Sequence, residues 1–251
     1  MRGKMAALAR GYLGLAAYPF SPEAGRFLDF SAGLPFMLLW LGLLGIIRNL
    51  LEVSIGGAWA NLWFALKPDI FFTMLCYPVY LCFFSTTLLY FFSRLLKLEV
   101  KINEILSLCF LLQVSHLFIP FFDGLADWLS IPYNYLLPGS TYRTLLFSPL
   151  AFTPLIMFFT RPTSLGIDLT WLWITFILVK LFCRHYRFSV WRSLTVLAAT
   201  FYILYMSIYP NYSFFLNERV IGSNVMFGLF FLFMSIPSVM FVSTVSSLQK
   251  D

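Results

Sequence analysis

Apolar residues in this chain come in long, nearly uncharged blocks. Residues 30–47, 70–93, 105–122, 193–217 and 220–249 each reach or exceed the roughly 18–20 apolar residues that cross a bilayer. Backbone groups in lipid must bond internally, which leaves helices or closed barrels. Barrel strands alternate polar and apolar over about ten residues, and the run Phe227-Gly-Leu-Phe-Phe-Leu-Phe-Met234 does not alternate. The pattern predicts an all-α, polytopic transmembrane helical bundle over residues 31–251, preceded by an amphipathic segment at 1–30. In that segment Met1, Met5, Leu8, Tyr12 and Leu15 recur at three-four spacing. This suits a short helix on the inner leaflet, attracted to anionic lipid. Ser21-Pro22-Glu23 reads as a helix start.

Two further blocks are ambiguous as crossings. Residues 144–160 contain Pro149 and Pro154, each of which removes a helix hydrogen bond and clashes with the preceding turn. Residues 169–179 are apolar but lie between Asp168 and Lys180. They reach spanning length if Lys180 snorkels to the headgroups.

Composition agrees with the blocks. Of 251 residues, 60% are hydrophobic and 11% charged, against about 25% charged in soluble domains. Thirty phenylalanines exceed what a soluble core of this size would hold, so lipid is expected to cover much of the surface. Cys76, Cys82, Cys109 and Cys183 lie in apolar runs without CxxC pairing, as small buried hydrophobes do. Residues 5–17 are interrupted by Arg10, so the first spanning helix is expected to be its own insertion signal.

The 17 Lys and Arg decide between topologies, because such residues accumulate on the cytoplasmic side of membrane helices. With seven crossings and the N-terminus inside, 9 of the 17 face the cytoplasm and no bias remains. If 144–160 turns back, the cluster Lys180, Arg184, Arg187 and Arg192 moves inside with Lys250, and the inner count becomes 12 against 5. We therefore expect six spans, both termini cytoplasmic, and 144–160 as a Pro-broken re-entrant or interfacial segment. This ledger places Arg48 outside. The outer loop at 54–68 carries Trp59 and Trp63 as interfacial anchors, and 211–222 forms a short outer loop.

Few constellations carry chemistry. Asp123 and Asp127 share a helix face at i, i+4 spacing and resemble half of a metal site, but no further acids follow at helical spacing. They read more simply as a helix end entering water. His116 lies deep in 105–122 near Gln113. An ionisable group at that depth marks a functional candidate, and the pair suits an intramembrane polar contact between helices. Arg184-His185-Tyr186-Arg187, with Lys180 and Arg192, forms a basic turn suited to anionic headgroups or an acidic partner. Asn211-Tyr-Ser213 matches a glycosylation acceptor but hugs the membrane, and it is given no role. No GxSxG, HExxH or Walker loop occurs. The expectation is a protein that is not an enzyme, with no catalytic residues, cofactor or metal, and no nucleic-acid partner.

Several stretches together resemble a known family. They are Ser21-Pro22-Glu-Ala-Gly-Arg-Phe27, the basic segment from Phe92 through Lys97 and Lys101 to Leu106, the span ending Leu117-Phe-Ile-Pro120, and Arg184-His-Tyr-Arg-Phe-Ser-Val-Trp-Arg-Ser193. The layout resembles the Yip family of Rab/Ypt-interacting multi-span membrane proteins, in its prokaryotic type. The resemblance implies five spans, a cytoplasmic N-terminus, a cytoplasmic turn before the last span, and a scaffolding or trafficking role without catalytic residues. This chain departs from it in the proline-rich insertion at 123–165 and the extra span at 220–249. The resulting expectation is a scaffold or accessory subunit of a larger membrane assembly. Its partners would be the bilayer, anionic headgroups on the cytoplasmic face and other membrane subunits. The alternative is a transporter or channel component using the broken helix at 144–160.

Overall fold

The computed structural model describes residues 2–17, 33–55, 68–128, 165–217 and 223–249, and every regular element among them is helical. In chain order these are α1 (Arg2–Ala17), α2 (Leu34–Ile55), α3 (Pro68–Leu95), α4 (Ile102–Leu112), a 3-10 segment (Gln113–Phe118), α5 (Ile119–Trp128), α6 (Leu165–Arg184), α7 (Val190–Asn217) and α8 (Ser223–Leu248).

The all-helical expectation holds. Among the described residues three helical stretches, not six, combine the length and apolarity of a crossing: Phe72–Leu95, Ile102–Phe122 and Gly228–Leu248. The apolar stretches of α2 and α7 that are described throughout, Leu34–Arg48 and Val190–Leu204, have fewer than 18 residues. In α2 the apolar run stops at a cation. In α6 helix continues past the apolar block into Asp168 at one end and Lys180 and Arg184 at the other. The segment 144–160, the start signal at 21–23 and the Trp59–Trp63 region (residues 59–63) lie outside the described residues. Asp123 and Asp127 fall on α5, and residues 211–213 continue α7 as helix instead of forming a loop.

The stretch Ile102–Phe122 is the hub: 67% of its window is buried, against 44% for Phe72–Leu95 and 28% for Gly228–Leu248. It is broken internally. Pro120 has no N–H to offer the His116 carbonyl, and the N–H of Ile119 takes that carbonyl at the tighter i+3 spacing. The 3-10 segment follows from this.

A second proline shapes α3. Pro78 leaves the Met74 carbonyl without its intrahelical donor, and Gly45 of α2 sits against that oxygen so closely that a Cβ there would collide with it. The missing side chain lets the two backbones approach.

Helix α8 lies along α3. Gly228 sits beneath the Phe72 ring, where an added Cβ would come within 2.5 Å of Cδ1. Tyr77, Tyr80, Phe84, Phe230 and Phe231 stack beside it with ring centroids 5.0–6.1 Å apart. The opposite face of α8 exposes Phe233, Ile236 and Met240, which suits contact with lipid. Helix α1 turns buried Leu8, Tyr12 and Leu15 toward the hub, and Tyr12 Oη lies 3.1 Å from Ser115 Oγ.

Candidate functional site

One end of the bundle gathers four chain segments. Helix α3 stops at a left-handed Lys97 (φ 58°), with Lys97 N–H donating to the Arg94 carbonyl and Leu98 N–H to the Ser93 carbonyl. This is a Schellman cap with lysine where glycine is usual. Helix α6 also ends before a left-handed residue, in a wider turn. Arg187 has φ 55° and reverses the chain, and Phe188 N–H donates to the Phe182 carbonyl at 3.0 Å. Both left-handed positions strain an L-residue by about 1–2 kcal/mol. Both also place a cation beside a helix C-terminus, whose dipole favours it.

Contacts distant in sequence tie the turn after α6 and the end of α8 to the start of α4. Glu104, in the first turn of α4, accepts from Tyr186 Oη at 2.9 Å and pairs with His185 Nε2 at 3.2 Å. Burial, reinforced by the Glu104 carboxylate, pushes the Tyr186 phenol upward from its ordinary value. Lys101, at the N-cap of α4, makes no side-chain cap bond. Gln249, from the end of α8, supplies the cap instead: its Oε1 accepts from Ile102 N–H at 2.9 Å. Its amide also reaches Tyr90 Oη at 3.3 Å, and Ser246 donates to Asn103 at 2.6 Å.

Of the basic residues singled out from the sequence, Arg184, Arg187 and Arg192 are exposed on this end and Lys180 is half-buried. Arg94, Lys97 and Lys101 are exposed on it as well. Trp191 is 80% exposed beside Arg192, a placement suited to the headgroup level.

Gln113 and His116, expected from the sequence to form an intramembrane contact, are both buried. It is the backbone carbonyl of Gln113 that faces His116 Nδ1, at 3.3 Å, and the ring stands edge-on to Trp171 of α6 with centroids 5.7 Å apart. The sequence reading missed their neighbour. Arg48 of α2 lines the same cavity as Gln113 and His116, together with Tyr77 and Pro78 of α3. One signal was available: Arg48 follows Leu44 and Gly45 at three-four spacing, on the face that meets α3.

No family model, no curated protein and no solved structure matches this chain.

Proposed function

We propose that this protein is a non-catalytic membrane scaffold or accessory subunit, and that the basic end of the bundle is its docking face. The observation that carries this is the construction of that end. The turn after α6, the start of α4 and the end of α8 are cross-tied through Glu104 and Gln249, yet Arg184, Arg187 and Arg192 point outward. A rigid, exposed cationic surface suits acidic partners and anionic headgroups. We assign this end to the cytoplasm, with both termini there and six crossings. The grouping of the 94–101 and 180–192 clusters at one end favours that count, because seven crossings would set them on opposite faces. The Yip-like layout points to the same kind of role.

The test is extraction of the full chain in a mild detergent, with the Arg184, Arg187 and Arg192 triple alanine variant in parallel. The wild type should travel with other membrane polypeptides at fixed ratio, and the variant should lose them while keeping its helical content. A wild-type chain that is monomeric and alone under every gentle extraction ends this reading.

A second reading, a transporter or channel component, is favoured by one feature: the hub is interrupted by its 3-10 segment beside Arg48, with Pro78 of α3 across from it, and broken helices frame substrate sites in many transporters. A proteoliposome flux abolished by His116→Ala would replace the scaffold reading.

A further inference from the structure

Every exposed cation of the basic end lies close to an apolar helical stretch. Arg94 falls inside the crossing-length stretch Phe72–Leu95, and Lys101 directly precedes Ile102–Phe122. Arg184 is in the last turn of α6, and Arg192 is in the first turn of the stretch Val190–Leu204. Lys97 and Arg187 sit on the connections 96–101 and 185–189 between these helices. A headgroup layer is about 5–7 Å thick on each side of the hydrocarbon, and turns this short hold their cations within it. Exposed Phe91, Leu95, Val190, Trp191 and Leu248 share the same turns and helix ends. Charge at this end is one-sided. The only exposed carboxylate among the described residues of the two connections is Glu99, and Glu104 is taken by His185 and Tyr186. None of the six cations forms an ion pair with another described residue. Helix α7 also opens with no acid in its first turn and with Arg192 there instead, where the helix dipole disfavours a cation.

We propose that the occupant of this end is anionic phospholipid of the surrounding bilayer, bound by its phosphates to Arg184, Arg187 and Arg192. Trp191 and Val190 meet the upper part of the same lipids. This rests on the reading of the basic end as a docking face and names what docks there. Two features favour lipid over an acidic polypeptide. The cations stand at the depth where lipid phosphates already are, so a polypeptide from the aqueous side would have to displace the headgroups to reach them. The interleaved apolar side chains also match a molecule that is charged at one end and apolar below it. The lipid phosphate supplies the negative charge that the first turn of α7 lacks.

The experiment titrates the full chain, in a mild nonionic detergent, with phosphatidylglycerol or phosphatidylcholine of identical acyl chains. The readout is the thermal midpoint. Phosphatidylglycerol should raise it and saturate at lower concentration than phosphatidylcholine, and added salt should narrow the difference. The triple variant Arg184→Ala, Arg187→Ala, Arg192→Ala should lose the preference by about fivefold per arginine. The corresponding triple lysine variant should retain it, because lysine also binds phosphate as a point charge. If the triple alanine variant does not fold, the wild-type preference and its salt dependence decide alone. An equal response to the two lipids, or a preference that survives in a folded triple alanine variant, overturns the proposal. So does saturable binding of soluble polyglutamate by a chain indifferent to phosphatidylglycerol. A chain that selects phosphatidylglycerol yet travels with no other polypeptide keeps this inference and ends the scaffold reading. Polypeptides lost from the triple alanine variant without any lipid preference in the wild type end this inference alone.

Discussion

Replacing Gly45 with alanine tests the closest helix approach in the structure. A Cβ at this position meets the carbonyl oxygen and carbon of Met74, and Pro78 Cγ at 3.1 Å. The first two are backbone and cannot rotate away, so α2 must retreat from α3. Overpacking of this kind costs about 1–3 kcal/mol, and a backbone obstacle puts this case at the upper end. Alanine recovers about 0.5–1 kcal/mol over glycine within a helix, leaving a net loss of about 2 kcal/mol. Two glycines serve as controls in the same assay. At Gly11 the new methyl meets only Leu111 side-chain atoms, the nearest at 3.2 Å, and at Gly3 it meets nothing within 4 Å. Gly11→Ala should be close to neutral, and Gly3→Ala slightly stabilising. The assay is thermal unfolding in one detergent, followed by the fraction remaining monodisperse. If Gly45→Ala is as stable as Gly3→Ala, α2 and α3 do not touch through Gly45 and the account of the Pro78 break is wrong.

Four further outcomes follow from the basic end. Lys97→Gly and Arg187→Gly each remove a left-handed strain of about 1 kcal/mol and should raise the unfolding midpoint; a drop would mean the cations stabilise more than the strain costs. Glu104→Gln should loosen the 185–189 turn by about 1 kcal/mol, read as faster amide exchange at Phe188, and unchanged exchange would contradict the latch. The Tyr186 phenol is raised on folding, so its contribution is complete below the unfolded value of about 10 and is lost as pH rises through the higher folded value. Alkaline titration should therefore destabilise the wild type more than Glu104→Gln, and equal slopes would contradict this. Finally, single cysteines at Lys97 and Arg187 should react with a membrane-impermeant maleimide from the same side of sealed vesicles. Labelling from opposite sides would refute the shared end.

Much of the organisation was legible in order along the chain. Uninterrupted apolar blocks announce membrane helices because hydrophobic length is a local property. The charge tally grouped Arg94–Lys101 (residues 94–101) with the 180–192 cluster, and the structure brings both to one end through Glu104. Arg48, which the tally counted on the outer side, is a helix residue that lines a cavity with His116.

By itself the sequence determined the apolar blocks, their helical backbone, and where prolines remove hydrogen bonds. Tertiary structure alone decided what meets at those breaks. Gly45 opposite the Met74 carbonyl, Gln249 capping α4 and Arg48 facing His116 all join residues far apart in the chain. Periodicity reports which face of a helix is apolar. It carries no information on which other helix, at what height, will cover that face, because that choice belongs to the packing of the whole bundle.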